Sequence, residues 1–381
     1  MSIFFLIFFS VYGGANFYIF YRSLQAIELA PMYLKITFGV FFWLSASSYV
    51  LIRALVPSDF FLYDLMSWVG SLWLPMLMYS ILLVLLIDIL RAINHFLPFF
   101  PAFVTTNIPA AKLTAFGIIV LSITIFNIYG YLNAKNIKVK EMTIELPKGE
   151  GTRDTLRVLF ISDTHFSPMQ DTSTVNKIIA INNKLKPDLI LMGGDVVDDK
   201  SKVLRRLKID KALLNLKAPL GVITCNGNHE HIVGMRDAVN FMEESGITVL
   251  IDSTIVIDNS VIIAGREDRA VASFSGGKRK SIPEILQGVE RNLPVILLDH
   301  QPHQLHEASD NNIELQLSGH THEGQMFPIN FIVQKIYEKS WGYYTKGKTQ
   351  YYITSGAGTW GPPVRTFSDS EVVLMTIVFK D

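Results

Sequence analysis

The stretch "IELQLSGHTHEGQ", Ile313 to Gln325, carries two patterns in succession. Ile313, Leu315 and Leu317 alternate with polar residues, the period of a half-buried strand. The alternation then gives way to a glycine and two imidazoles one residue apart, His320 and His322. In open α/β sheets ligands bind at the carboxyl ends of strands. If the alternation persists through the histidines, both project to the same side.

The same arrangement recurs upstream. "LRVLFIS" is followed by "DTH", "PDLILMGG" by "DVVDD", "GVITCN" by "GNHEH" and "LPVILLD" by "HQPHQLH". Helix-like stretches separate them, namely "TSTVNKIIAINNKLK", "KVLRRLKIDKALLNLK" and "MRDAVNFMEESG". Strands alternating with helices predict a layered α/β domain with substantial parallel pairing.

Taken singly, an Asp-x-His is an ordinary loop pair, a Gly-Gly-Asp an ordinary turn and a lone histidine an ordinary core residue. Jointly they point to a site. Eight of the nine histidines belong to this half, and five of them fall at strand ends among Asp and Asn. Carboxylate, imidazole and amide oxygen together suit Mn²⁺, Fe or Zn²⁺ in an expanded coordination sphere. They do not resemble a closed thiolate zinc site. The one cysteine, Cys225, ends an apolar run and reads as a buried core thiol. More ligands are present than one ion needs, and two ions roughly 3.5–4 Å apart, sharing one carboxylate, would use them all.

The first third of the chain is different. Residues 1–131 hold nine Asp, Glu, Lys or Arg, against 59 in the remaining 250. Four segments, Ile3–Tyr21, Ile36–Ile52, Ser67–Leu90 and Leu113–Leu132, approach the about 20 apolar residues that a bilayer requires. They are apolar all round, unlike core helices with one polar face, and Tyr18, Tyr21, Trp68, Tyr129 and Tyr131 lie near their ends as interfacial aromatics do. Pro75 is expected to kink its helix without ending it. Without a basic leading region or a small-residue cleavage site, the first segment does not read as a signal peptide. Asp88 and Arg91 read as an interfacial ion pair, and "HFLPFFPAFVTTNIPA" as an interfacial loop.

Arg22, Lys35, Arg91 and Lys112 place the first and third loops in the cytoplasm by the positive-inside rule, against Arg53, Asp59 and Asp64 in the second. Lys135, Lys138 and Lys140 weigh the other way but read as part of the folded domain, so that domain is expected to face outward. The expected division is a transmembrane region 1–132, a linker and first strand 133–150, and a catalytic domain 151–381. The neutral overall charge gives no reason to expect nucleic acid.

The series Asp163-x-His165, Gly194–Asp195, Gly227–Asn228–His229–Glu230, His300 and Gly319–His320–Thr321–His322 resembles the calcineurin-like metallophosphoesterase superfamily. The resemblance covers roughly 140–381. The tail "YYITSGAGTWGPPVRTFSDSEVVLMTI" is similar to that of its bacterial membrane-associated phosphodiesterase-like subfamily. It implies an αββα sandwich of two mixed sheets with two divalent metal ions. Asp163, His165, Asp195 and His322 would hold one ion; Asp195, Asn228, His300 and His320 would hold the other. His229 would donate a proton to the leaving group and bind no metal.

Asp299 is expected to orient His300, while Asp198, Asp199, His231, His303 and His306 read as surface or loop residues. Arg365 and Trp360 read either as substrate contacts or as loop anchors, and "FSGGKRKS" as a solvated turn. Glu323 stands where the family commonly has glycine. The expected function is hydrolysis of a phosphodiester or pyrophosphate bond by a multi-pass protein of a bacterial cell membrane. Its partners would be membrane lipids and a phosphorylated small-molecule or lipid substrate. A phosphomonoesterase, such as a nucleotidase or protein phosphatase, would use the same ligands; a non-catalytic membrane sensor of a phospholigand is the alternative outside enzymology.

Overall fold

Along Thr155–Ile161, Leu156, Val158 and Phe160 enter one apolar core while Leu159 and Ile161 enter another. A strand buried on both faces is a strand between layers. The computed structural model describes residues 2–58 and 60–381. Met1 and Asp59 lie outside the described residues, as do the side chains of residues 2–5, 8, 53–55 and 61. Asp59 and the Arg53 side chain, both counted in the second loop, are among these. The chain divides into two compact units, Met1–Gly130 and Tyr131–Asp381.

The first unit is helical. Among the described residues three helices are long and apolar enough to cross a membrane, Met32–Ile52, Leu62–Phe96 and Ile108–Ala134, rather than the expected four. The remaining expected span is helical within Ser2–Ala26. Pro75 lies inside the helix Phe61–Phe96 without ending it. The expected interfacial loop contains one short helix, Ala102–Thr106. Asp88 pairs with Arg91 at 3.2 Å and also with Arg22, and it accepts from Tyr18 Oη at 2.8 Å.

The second unit holds two six-stranded mixed sheets. In the first, β1 (Lys138–Pro147) runs parallel to β12 (Glu371–Lys380), which is antiparallel to β2 (Thr155–Ile161). Parallel strands β3 (Leu189–Met192), β4 (Val222–Cys225) and β5 (Thr248–Leu250) follow. The second sheet has β6 (Ser253–Ile257), β7 (Val261–Gly265), β8 (Val295–Leu298) and β9 (Leu315–Ser318), then the hairpin of β10 (Gly342–Lys346) and β11 (Thr349–Ile353). Its spatial order is β10-β11-β9-β8-β7-β6.

Leu189, Leu191, Ile296, Leu298, Leu315 and Leu317 join the core between the sheets. Ile190 and Met192 face helices on one outer side, Val295 and Leu297 those on the other. The layers are αββα. Truncating one such inter-sheet leucine to alanine costs about 2–5 kcal/mol.

Asp171 caps the helix Thr172–Leu185, accepting from Ser173 N at 2.9 Å, and Val175 and Ile178 give it a buried stripe. "KVLRRLKIDKALLNLK" is two short helices, Ser201–Arg206 and Ile209–Leu213, because Lys208 turns left-handed between them. Lys135 donates to Met169 O and Lys138 pairs with Asp369, so these lysines belong to the domain's own fold.

Candidate metal centre

Each parallel strand around the middle of the two sheets hands over a ligand-type side chain within four residues of its end. β2 delivers Asp163 and His165, β3 Asp195, β4 Asn228 and His229, β8 His300, and β9 His320 and His322. Asp163, His165 and His322 form one cluster, and Asp195, His300 and His320 another. Asp195 Oδ2 lies 3.1 Å from His300 Nε2 and 3.7 Å from His165 Nε2, so one carboxylate faces both. His322 Nε2 is 3.6 Å from Asp163 Oδ1 and 3.0 Å from His165 Nε2.

The turns that make this possible are costly. Asp163, His165, Asp195, His320 and His322 all have positive φ, between 46° and 71°. Such conformations cost of order 1–3 kcal/mol each and persist where the surroundings over-determine them. The strand alternation expected to carry His320 and His322 does not reach them, since β9 ends at Ser318. Left-handed turns place them instead: the His320 ring faces His300 at 5.2 Å and the His322 ring faces His165 at 5.0 Å. Glu323 has φ 51° as well, which explains why glycine suits this position. Its half-buried carboxyl is pushed up to about 7 by burial and by Glu371.

Several buried atoms lack a hydrogen-bond partner: Asp163 Oδ2, His165 Nδ1 and Asn228 Oδ1. Unpaired polar atoms are uncommon in native interiors and call for a partner such as an ion. The electrostatics agree. Burial holds His165 down to about 4 and His320 down to about 3, leaving the neutral imidazoles that ligate metals. Burial pushes Asp163 up to about 6. Burial disfavours a charged His300, yet Asp195 and Asp163 overcome it and hold that ring well above its ordinary range. The carboxylates thus draw a proton to a place that a cation would take. The donor set fits divalent cations.

His229 is near enough to His165 and Asp195 to join a cluster. Its Nδ1, however, lies 2.6 Å from Asp198 Oδ1. Burial opposes its charge, but Asp195 and Asp198 outweigh burial and raise it to about 9. With Nδ1 taken by Asp198, only Nε2 of this ring is left to face the cluster. Asp198, read as a surface or loop residue, is the partner of His229.

Other expectations are also revised. Asp299 pairs with Arg266 and Arg279, at 3.2 and 2.9 Å, while His300 Nδ1 meets the Gly193 carbonyl at 2.7 Å. Arg279 is thereby drawn out of the turn expected to be solvated. Arg365 is fully buried, and all three of its guanidinium nitrogens donate to carbonyls of Ser355, Gly356, Gly358 and His322 or to Ser368. It anchors the loop and has no free face for a substrate. Trp360 is exposed, its ring 6.3 Å from that of His229. The His303 ring lies tilted against that of Tyr337 at 4.7 Å.

Two acids have roles that the motifs do not announce. Glu230 is fully buried, and its carboxylate accepts from the main-chain N–H groups of Asp195, Val196, Val197 and Gly227, at 2.7–3.1 Å. It ties the Asp195 turn to the Asn228 turn. Glu267, just past β7, accepts from His231 Nε2 and Asn226 Nδ2, both at 3.1 Å. The run "VIIAG" before "REDR" is the same strand-then-acid signal as the others. His231 is consequently buried rather than a surface residue.

A two-sheet sandwich that gathers carboxylates and imidazoles at its strand ends is a metallohydrolase scaffold. The family model described as calcineurin-like phosphoesterase matches residues 156–324. An "uncharacterized metallophosphoesterase" of Aquifex aeolicus is 34% identical over 263 residues, covering 66% of this chain and 96% of that one. Another of Campylobacter jejuni is 28% identical over 381 residues, covering 97% of this chain and 96% of the relative. A zebrafish (Danio rerio) "transmembrane protein with metallophosphoesterase domain" is 30% identical over 66% of this chain, which spans 60% of that relative. The chain belongs to the calcineurin-like metallophosphoesterases, a family of metal-dependent phosphoesterases.

Proposed function

We propose that the chain is a membrane-anchored phosphoesterase with a dinuclear centre, hydrolysing a phosphodiester or pyrophosphate bond. The observation that carries this reading is the position of Asp195 Oδ2 between His300 and His165. Asp163, His165, Asp195 and His322 hold one cation, and Asp195, Asn228, His300 and His320 the other, as Mn²⁺, Fe or Zn²⁺. When bound, such a pair neutralises phosphoryl charge and lowers the pKa of water towards about 7. The protein's own part is positioning and proton supply. Glu230 fixes the turns that aim Asp195 and Asn228, and the orphaned Asn228 Oδ1 is free to ligate. His229, charged beside Asp198, holds the proton that the leaving oxygen needs.

Ser2–Ala26 is read as a fourth span beside the three apolar helices, with the catalytic domain on the outer side of a bacterial cell membrane. The tether favours substrates at the bilayer: a phosphorylated lipid, a lipid-linked sugar nucleotide or an envelope polymer. The test is hydrolysis by purified full-length protein after chelation and Mn²⁺ replacement, on a bis-aryl and a mono-aryl phosphate. Diester turnover that returns with the metal supports the reading. A preference for the monoester makes the protein a phosphomonoesterase, and no hydrolysis of either makes it a phospholigand sensor.

A further inference from the structure

The helix Ile329–Ile336, "INFIVQKI", is turned inside out. Its buried residue is Asn330, whereas Phe331, Ile332 and Ile336 are 55%, 59% and 60% exposed. A surface helix of a water-soluble domain turns its apolar stripe inward. Phe327, also exposed, stands before the helix with its ring 5.8 Å from that of Phe331. Gln325 joins two more exposed aromatics to this place. Its carbonyl accepts from Phe367 N at 3.3 Å, and its Oε1 accepts from Trp360 N at 3.0 Å. Large apolar side chains gathered on one surface mark an interaction site.

The chain's own connectivity indicates what covers them. The bilayer-length helix Ile108–Ala134 ends in this domain, where Asn133 Nδ2 donates to the carbonyls of Arg365 at 3.2 Å and Ser368 at 3.1 Å. Those two residues flank Phe367. Ser370 Oγ donates to Ala134 O at 2.8 Å, closing the same joint. Thr366 Oγ1 in turn accepts from Phe327 N at 3.2 Å. The last turn of a spanning helix emerges at headgroup level, so the loop bonded to it and the turn bonded to that loop start from the same level. Lys335, exposed in the last turn of Ile329–Ile336, supplies the cation that interfacial helices direct at anionic lipid.

We propose that Phe327, Phe331, Ile332, Ile336, Trp360 and Phe367 form a docking surface for the lipid bilayer, with the helix lying in the interfacial plane. Trp360 belongs to this surface and its ring also neighbours that of His229 at 6.3 Å, so docking holds the metal centre at the level of lipid phosphates. The inference rests on the membrane reading above and narrows its substrate class to phosphoryl groups of lipid headgroups.

The test uses the full chain in proteoliposomes of phosphatidylethanolamine and phosphatidylglycerol. A nitroxide is placed by Ile332→Cys and, as a reference on the exposed end of Met235–Glu244, by Glu243→Cys. Cys225 is fully buried, and the unsubstituted chain serves as the labelling blank. Relaxation by oxygen, which concentrates in lipid, is compared with relaxation by a water-soluble nickel chelate. Position 332 is expected to respond chiefly to oxygen, as position 243 responds chiefly to nickel. Equal nickel access at both positions overturns the proposal. So does shielding of 332 from both agents that grows with the protein-to-lipid ratio, which would assign the surface to a second copy. The readout needs no turnover, so its failure and that of the phosphoesterase reading are told apart.

Discussion

His229 Nδ1 and Asp198 Oδ1 are 2.6 Å apart, and the main-chain N–H of the same histidine donates to Asp195 Oδ1 at 2.8 Å. The ring is therefore fixed at one nitrogen by an acid and at the backbone by the shared carboxylate. General acids contribute typically 10²–10⁴-fold. His229→Ala is expected to lower kcat by about 100-fold on that scale while metal content stays at the wild-type level. In Asp198→Asn the ring loses a charge that raises its pKa, so the alkaline limb of the kcat profile should move to lower pH. A limb that does not move removes Asp198 from this role.

Glu230 spends its carboxylate on four main-chain donors that include Asp195 N and Gly227 N. A glutamine presents an amide N–H₂ where donors already converge. Groups that orient metal ligands are worth about 10–100-fold in metal affinity. Glu230→Gln should weaken Mn²⁺ binding on that scale, read by calorimetric titration of the chelated protein. Unchanged affinity would show that the two turns hold themselves.

Gly227 has no room for a side chain, because a Cβ there would collide with the Asp195 carboxylate. Gly227→Ala is expected to lose metal binding and to destabilise the domain by about 1–3 kcal/mol. Thermal unfolding in detergent, with and without Mn²⁺, separates the two effects: the variant should melt lower and gain nothing from the ion.

The pair His231–Glu267 gives a pH signature. Burial pushes Glu267 up, but His231 and the Asp268 N–H outweigh it and hold its carboxyl below the ordinary 4.5. Burial pushes His231 down, and Glu267 outweighs that and holds the ring above 6.5. The acid's contribution is present above pH 4.5 and is lost as pH falls through its lowered value. The histidine's is present below pH 6.5 and is lost as pH rises through its raised value. Glu267→Gln should thus lower the melting temperature most between pH 4.5 and 6.5, with a smaller loss at alkaline pH. A loss that does not vary with pH would mean packing, not charge, is at stake.

The strand ends were legible because the two periods are local. An apolar run such as "ILLD" or "LFISD" announces a buried strand, and the acid or imidazole after it has nowhere to go but the sheet's edge. What failed was whatever depends on residues distant in sequence. The alternation expected to carry His320 and His322 stops at Ser318, and it is left-handed turns that set the two rings beside different partners. Asp198 and His231 look like loop polarity until His229 and Glu267 are packed beside them. Arg365 carries the charge of a phosphate contact and the burial of a loop anchor, and only the carbonyls around it decide. The outward Phe331 and Ile332 could not be seen either, since a sequence periodicity does not say which face the domain leaves uncovered.

The most direct test of the shared-carboxylate centre is metal stoichiometry, by elemental analysis of the full chain loaded with Mn²⁺, in wild type and Asp195→Asn, with diester turnover measured on the same samples. Two ions per wild-type chain are expected, and at most one ion, with no measurable turnover, in the variant. An Asp195→Asn protein that keeps two ions and wild-type turnover would contradict the account.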